Sequence, residues 1–151
     1  MTPGLDALAA EQADMQLPRF DYEIAWRIGA HIRAAAAARD LPIAIEVSHG
    51  DAPVFFALMP GATPDNADWT RRKRAVALRF HRSSLAMRLE CERHGWDFSR
   101  RFRLPEADYA ASGGGVPIIV RQAGIVGAVA VSGLPDVEDH AMAIAALKSV
   151  Q

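Results

Sequence analysis

Two pairs of apolar runs, each folded about a short glycine-containing turn, constrain this chain more than any other feature. Ile43, Ile45 and Val47 alternate with Ala44, Glu46 and Ser48, His49-Gly50-Asp51-Ala52 supplies turn chemistry, and Val54 to Met59 is a second, largely apolar run. Strict alternation is the period of a strand, and two runs across a short glycine-containing loop predict a β-hairpin. The second run, apolar at nearly every position, is expected to be covered on both faces. Val116–Val120 and Ile125–Val131 flank Gln122-Ala123-Gly124 and predict a second hairpin, in which Gly127 marks close packing or a bulge.

Helical patterns surround these hairpins. Asp21 reads as an N-cap for a helix carrying Ile24, Ile28 and Ile32, extended by Ala34 to Ala38 and stopped at Asp40-Leu41-Pro42. Asp65 or Asn66 is expected to cap a long helix from near Ala67 to about Arg82. Ser83 or Ser84 then caps a following turn, and Gly95 ends it. Trp96 to Ala110 reads as a short helical excursion broken at Leu104-Pro105. Gly133-Leu134-Pro135 starts a terminal helix with Asp136, Glu138 and Asp139 in its first turn, where acids favour the helix dipole, and with a stripe of Ala141, Ile144 and Leu147 or Lys148. The order α-β-β-α(α)-β-β-α predicts an α+β fold: a central antiparallel sheet from two hairpins with helices on its faces. Residues 1–16 are expected to be a tail or a loosely docked helix, and 17–151 a single domain.

Composition narrows the class. The 151 residues are 50% hydrophobic and 23% charged, a globular balance that excludes general disorder. One cysteine, Cys91, excludes a disulfide framework and a multi-cysteine zinc site. No run reaches the ~18 apolar residues of a membrane span, and the acid-bearing start lacks a basic n-region, so a soluble cytoplasmic protein is expected. The net charge of −1 hides a segregation: residues 69–103 hold eleven of seventeen Lys and Arg against Glu90, Glu92 and Asp97, a balance of +8, leaving −9 elsewhere. That pattern fits an anionic ligand, a complementary acidic surface on a partner, or a solvated basic face.

Motif chemistry points away from catalysis, although enzyme activity stays open and no catalytic residue is named. There is no G-x-S-x-G elbow, and Cys91 lies between two glutamates that disfavour its thiolate. His31, His49, His81, His94 and His140 are scattered without metal-ligand spacing, so no metal site is expected, while a lone axial histidine for haem stays open. Ser112-Gly113-Gly114-Gly115 lacks the Lys-Ser/Thr of a P-loop and leads into a strand; it serves as a sharp strand start or a pocket rim. In the long helix Trp69, Val76 and Phe80 form an apolar stripe, and Lys73, at i+4 from Trp69, falls on it with Arg72 alongside. An ammonium there either snorkels to water or sits at a pocket with a carboxylate, carbonyls or an anion as partner. Arg71-Arg72-Lys73-Arg74 is a weak nucleic-acid signal, given no helix-turn-helix spacing and no RNP-like aromatics.

Taken together, Asn66…Trp69…Arg72-Lys73, Ser83-Ser84-Leu85, Gly113-Gly114-Gly115-Val116-Pro117-Ile118, Val131-Ser132-Gly133-Leu134-Pro135 and Asp139-His140 resemble the bacterial and fungal proteins grouped with the haem-degrading-type domain, among them GlcG-like and HbpS-like proteins. The resemblance runs from about Leu17 to the C-terminus. It implies a profilin-like α+β domain assembled into homo-oligomers. It also implies ligand-binding positions at Asn66, Trp69, Arg72, Lys73, Ser83, Ser84, Gly113, Gly114, Gly115, Asp139 and His140.

The expectation that follows is an oligomeric small-molecule-binding protein. Its site for a small acidic or planar ligand lies between the long basic helix and the start of the glycine-rich strand. A haem-binding or haem-degrading protein with one axial histidine is the alternative, and an assembly or chaperone-type interaction protein the second. The cofactor is left unknown, with haem open. The sharpest expectation is that the Lys73 ammonium lies near Gly113–Gly115 or a neighbouring chain's acidic helix start, and that Lys73→Met keeps the fold but loses anion binding or assembly.

Overall fold

In the computed structural model, which describes residues 1–151, the two hairpins lie side by side in one sheet of order β1-β4-β5-β2-β3. The first hairpin is β2 (Ala44–His49) and β3 (Ala52–Leu58); the second is β4 (Gly115–Val120) and β5 (Gly124–Ser132). β5 pairs antiparallel with β2, from Ala44 opposite Ser132 to His49 opposite Gly127, and so fuses the hairpins. One departure from a purely antiparallel sheet is β1 (Gln16–Leu17), two residues parallel to β4, too short for its period to show in the sequence. The α+β class predicted by the hairpins holds.

The sheet has an apolar face and a small-residue face. Ile45, Val47, Val116, Ile118, Val129 and Val131 pack under α2 (Tyr22–Ala38) and α6 (Asp136–Ser149), forming the main core with Ile28, Ile32, Ala143 and Leu147. The register puts Ala44, Glu46, Ser48, Gly115, Ala128, Ala130 and Ser132 on the opposite face. Side chains this small let α3 (Pro64–Phe80) lie almost on the backbone: a Cβ on Gly115 would come within 2.5 Å of the Lys73 carbonyl oxygen. At Gly127 a Cβ would meet the Ser48 carbonyl at 2.0 Å, so close packing requires that glycine, and the β4–β5 register also shifts beside it, between Ile118 and Ile119.

Exposure of the first hairpin is the reverse of the sequence expectation. β3, expected to be covered on both faces, is the open edge, with Phe56 and Leu58 exposed; β2 is central and buries Glu46 and Ser48 as fully as its apolar residues. The cause is long-range. β5 occupies the free side of β2, and β3 is left with one neighbour.

Helix ends mostly follow capping chemistry. The Asp21 carboxylate accepts from the Ile24 N–H at 2.8 Å, Ser83 caps α4 (Ser84–His94) by accepting from the Ala86 N–H, and Gly95 closes α4 in the left-handed region. The long helix starts earlier than expected. Thr63 is its N-cap, Pro64 its first residue, and Asn66 closes a capping box by accepting from the Thr63 N–H at 2.9 Å. It also ends earlier, at Phe80, where His81 turns left-handed. α5 (Phe98–Phe102) is all that is helical between Trp96 and Ala110, and it packs both its phenylalanines on Phe80. In α6 the buried stripe is Ala143, Ile144, Ala146 and Leu147, whereas Ala141 and Lys148 are exposed. Residues Leu5–Asp14 form α1, which seats Leu8 against Leu85 and Ala86 and donates from Gln12 to the His81 carbonyl. No helix is long and apolar enough to cross a membrane.

Candidate functional site

The apolar stripe of α3 carries Lys73 inward at the point where β5 ends and α6 begins. The ammonium is 2% exposed as a residue; it donates to the Val131 carbonyl at 3.0 Å and to Asp139 Oδ2 at 3.1 Å. Asp139 is itself held from behind, because the Leu134 N–H donates to Oδ1 at 3.0 Å and the Gly133 N–H to Oδ2 at 3.3 Å. The first turn of α6 is thus stapled to the end of β5 by its own aspartate. Burial pushes the Asp139 carboxyl up to about 6, against the pull of Lys73 and the two amides. Burial likewise pushes Lys73 down, opposed by Asp139.

Above this pair lies an open cleft of about 280 Å³, with Asn66, Trp69 and Lys73 on the α3 side and Ser132, Leu134 and Asp139 on the other. Arg72 packs its guanidinium 4.1 Å from the Trp69 ring centroid and is held there by Asp68 at 3.0 Å and the Glu106 carbonyl at 3.3 Å. It fixes the indole rather than facing the floor. The glycine run lies beneath the cleft. Gly114, at φ +136°, passes so close that a Cβ would lie 2.2 Å from the Val131 carbonyl and 2.9 Å from Lys73 Nζ. The Gly113 N–H donates to Asp136 and the Gly115 N–H to Ser84 Oγ, both at 2.9 Å, so two of the three glycine amides are already used.

Of the expected positions, then, Asn66, Trp69, Lys73 and Asp139 meet in one cleft, with Arg72 and Gly113–Gly115 supporting it. Ser84 acts from below, through Gly115. Ser83 and His140 are elsewhere: Ser83 caps α4, and His140 faces α1, with Nε2 2.7 Å from a Glu11 carboxylate oxygen. One residue along a helix is about 100° of rotation, so His140 cannot share the side of Asp139. The other histidines are apart from one another; His49 stacks on Phe20 and His94 on Trp96. The expected ligand positions left out Ser132, Gly133, Leu134 and Asp136, which also line the cleft, and Ser112, read only as part of a possible pocket rim. Ser132 and Leu134 lay inside the quoted Val131–Pro135 motif, and Asp136 in the acidic helix start; the Val131 carbonyl has no residue-type signal at all.

The acidic helix start that Lys73 meets belongs to its own chain and not to a neighbour: Lys73 pairs with Asp139, and Arg88 with Asp136 at 2.6 Å. Arg71 pairs with Asp68 and Asp108, and Arg74 with Glu46.

Comparison with known proteins shows the family and the fold. The profile of the family described as haem degrading protein HbpS-like matches residues 20–148. A UPF0303 protein of Paraburkholderia phytofirmans is 41% identical over 143 residues, 95% of this chain and 87% of its own length; one of Burkholderia thailandensis is 43% identical over the same shares. Among solved structures, the Ybr137w protein superposes with a TM-score of 0.88 at 30% identity, covering 98% of this chain and 88% of its own. HbpS of Streptomyces reticuli gives 0.71 at 17% identity over 90% of each chain, and a PduOC:heme complex 0.74 at 13% over 87% of this chain and 95% of that one. The last two show a shared fold.

Proposed function

The chain belongs to the HbpS-like haem-degrading protein family, and on that premise we propose that it is a small-molecule-binding module whose ligand occupies the cleft between α3 and the β5–α6 junction. The observation that carries this reading is the donor count at Lys73. An ammonium has three N–H donors. Val131 and Asp139 take two, and Nζ lies 6.0 Å from the Trp69 ring centroid, so one donor remains for an oxygen in the cleft. The ligand class that fits is planar, lying along Trp69 and presenting a single carbonyl or carboxylate oxygen to Lys73. A strongly anionic ligand fits less well, because Asp139 already balances the charge of Lys73. We take the protein to act as a cytoplasmic homo-oligomer. The open β3 edge, seven residues without a charge and carrying exposed Phe56 and Leu58, supports assembly through strand pairing.

Nicotinate and benzoate serve as probes. Titration followed by amide and indole NMR shifts is expected to move Trp69, Gly133 and Leu134, and to lose that response in Trp69→Ala. Probes that leave those signals still while moving others overturn the reading. A monomer by light scattering at tens of micromolar removes the assembly.

The haem-binding alternative draws support from the fold neighbour crystallised with heme. His49 is the histidine best framed for it, exposed at a strand end between Phe20 at 5.9 Å and Tyr22 at 5.8 Å. A Soret shift with haemin that vanishes in His49→Ala supports that alternative, and no shift at micromolar haemin sinks it.

A further inference from the structure

The side of α3 turned away from Lys73 carries features that the cleft does not use. Arg71, Arg74, Leu78 and Arg79 face an open groove of about 530 Å³, closed by Tyr109 from the segment after α5 and by Asp51 from the β2–β3 turn. That volume is in the ordinary range of small-molecule sites. Two of the arginines are fixed in place. Arg71 donates to Asp68 at 2.7 Å, to Asp108 at 3.1 Å and to the Ala107 carbonyl at 2.8 Å; Arg74 donates to the buried Glu46 at 2.5 Å. Arg79 differs: it is exposed, has no carboxylate within 4.0 Å, and holds its guanidinium carbon 5.8 Å from the Tyr109 ring centroid. The groove wall is tied to the helix by the Ala110 N–H, which donates to the Arg72 carbonyl at 3.2 Å.

We propose that this groove is a second ligand site, one for a phosphomonoester carried on a flat body. Each guanidinium has five N–H donors, and Arg74 spends one of them on Glu46, so donors from Arg74 and Arg79 remain for one anion. They come from separate turns of the helix rather than from one planar fork. The tetrahedral oxygens of a phosphate suit that array better than a flat carboxylate does. The carboxylates about the groove are Asp68 and Asp108, both held by Arg71, Glu46, held by Arg74, and Asp51, which leaves Arg79 as the lining cation with no carboxylate partner. Tyr109 and Leu78 supply the apolar surface against which a ring lies.

The test is an NMR titration of the full chain, following arginine Nε–H and backbone amides, with adenosine 5′-monophosphate, adenosine and inorganic phosphate as probes. The monophosphate is expected to move Arg79 and Tyr109 signals saturably, phosphate to move the same signals more weakly, and adenosine to leave them still. Arg79→Gln is expected to weaken the monophosphate about tenfold or more. Tyr109→Ala should bring it down to the level of inorganic phosphate, with unchanged thermal unfolding showing that both variants fold. No saturable shift in the groove overturns the proposal, as does unchanged affinity in either variant or a response confined to Trp69 and Leu134. A single-stranded RNA oligonucleotide that binds the groove far more tightly than the monophosphate also overturns it, and assigns the arginines to nucleic acid.

Discussion

Lys73 and Arg74 are neighbours on α3, and each reaches an acid on another element, Asp139 of α6 and Glu46 of β2, yet the two pairs are built differently. Lys73 meets an aspartate that two backbone amides also hold, and both side chains are almost fully enclosed, at 3% and 1% exposure. Arg74 meets Glu46, whose recorded side-chain bond is to that arginine alone, and its own side chain keeps 14% of its surface at the arginine-lined groove. Burial pushes both carboxyls up. The difference lies in what each cation can do if its partner goes. Arg74 has water within reach, whereas Lys73 has only the Val131 carbonyl and the cleft. One pair therefore defines the junction between β5 and α6, and the other trims the outside of the helix.

That contrast breaks most visibly at Asp139. Asp139→Ala strips the counter-charge from an enclosed ammonium and frees the Gly133 and Leu134 amides at once. The expected cost is ~3–5 kcal/mol in denaturant unfolding, the range for removing one partner of a buried pair. A loss below ~1 kcal/mol would show that Lys73 reaches water easily and that the junction does not depend on the pair.

The proton on Asp139 gives the same contrast a pH axis. Its folded value, about 6, lies above the ordinary aspartate value of 3.8, so the folded state binds the proton more tightly. This group therefore favours folding most below about pH 4, and its contribution fades as the pH rises through about 6. The groups facing it are the Lys73 ammonium and the Leu134 and Gly133 amides, while Asp136 and Arg72 bear on Lys73. Wild type is expected to lose stability relative to Asp139→Asn across that window, and a carboxyl-carbon titration of Asp139 should centre near 6. A flat difference, or a midpoint near 4, would remove the assignment.

Next in size is Lys73→Met. The sequence alone suggested that the fold would be kept because the aliphatic volume is. With Asp139 as the partner, a second effect enters: the carboxyl loses its cation and responds by keeping its proton. The cost is then ~1–3 kcal/mol at neutral pH, shrinking as the pH falls below about 6, since a protonated Asp139 no longer misses the charge. Urea unfolding at two pH values checks it. A cost independent of pH would mean that lost packing, not lost charge, is responsible.

What the sequence made legible follows the range of each interaction. Alternation at Ile43–Ser48 and the turn at Gln122-Ala123-Gly124 are local, and the hairpins they predict are there. Lys73 was readable because a charge at i+4 from Trp69 must face the same side of a helix. Its acceptors are a different matter. Asp139 stood out within a family motif and as one of three acids in a helix first turn, with nothing local to pair it with Lys73, and the Val131 carbonyl is backbone, which no residue type announces. The exposure of β2 and β3 came out reversed because a strand's burial is decided by whichever strand takes its free edge, here one about 80 residues away. His140 and Ser83 were grouped with the cleft through the motifs that contain them, and helical rotation and a capping role send both elsewhere.

The smallest effect expected is at the outer pair, and it decides whether the comparison is sound. Glu46→Gln keeps the shape and an oxygen acceptor for Arg74 while removing a carboxylate that burial already makes costly to ionise. Arg74 keeps its charge and the partial exposure that solvates it. The change should therefore cost about 1 kcal/mol or less, in line with pairs that retain access to water. Denaturant unfolding of Glu46→Gln beside Asp139→Asn, both isosteric and both leaving a cation behind, isolates what enclosure adds. If Glu46→Gln proves the more damaging of the two, burial of the cation is not what separates the pairs, and the short Arg74–Glu46 contact is the stronger tie between α3 and the sheet.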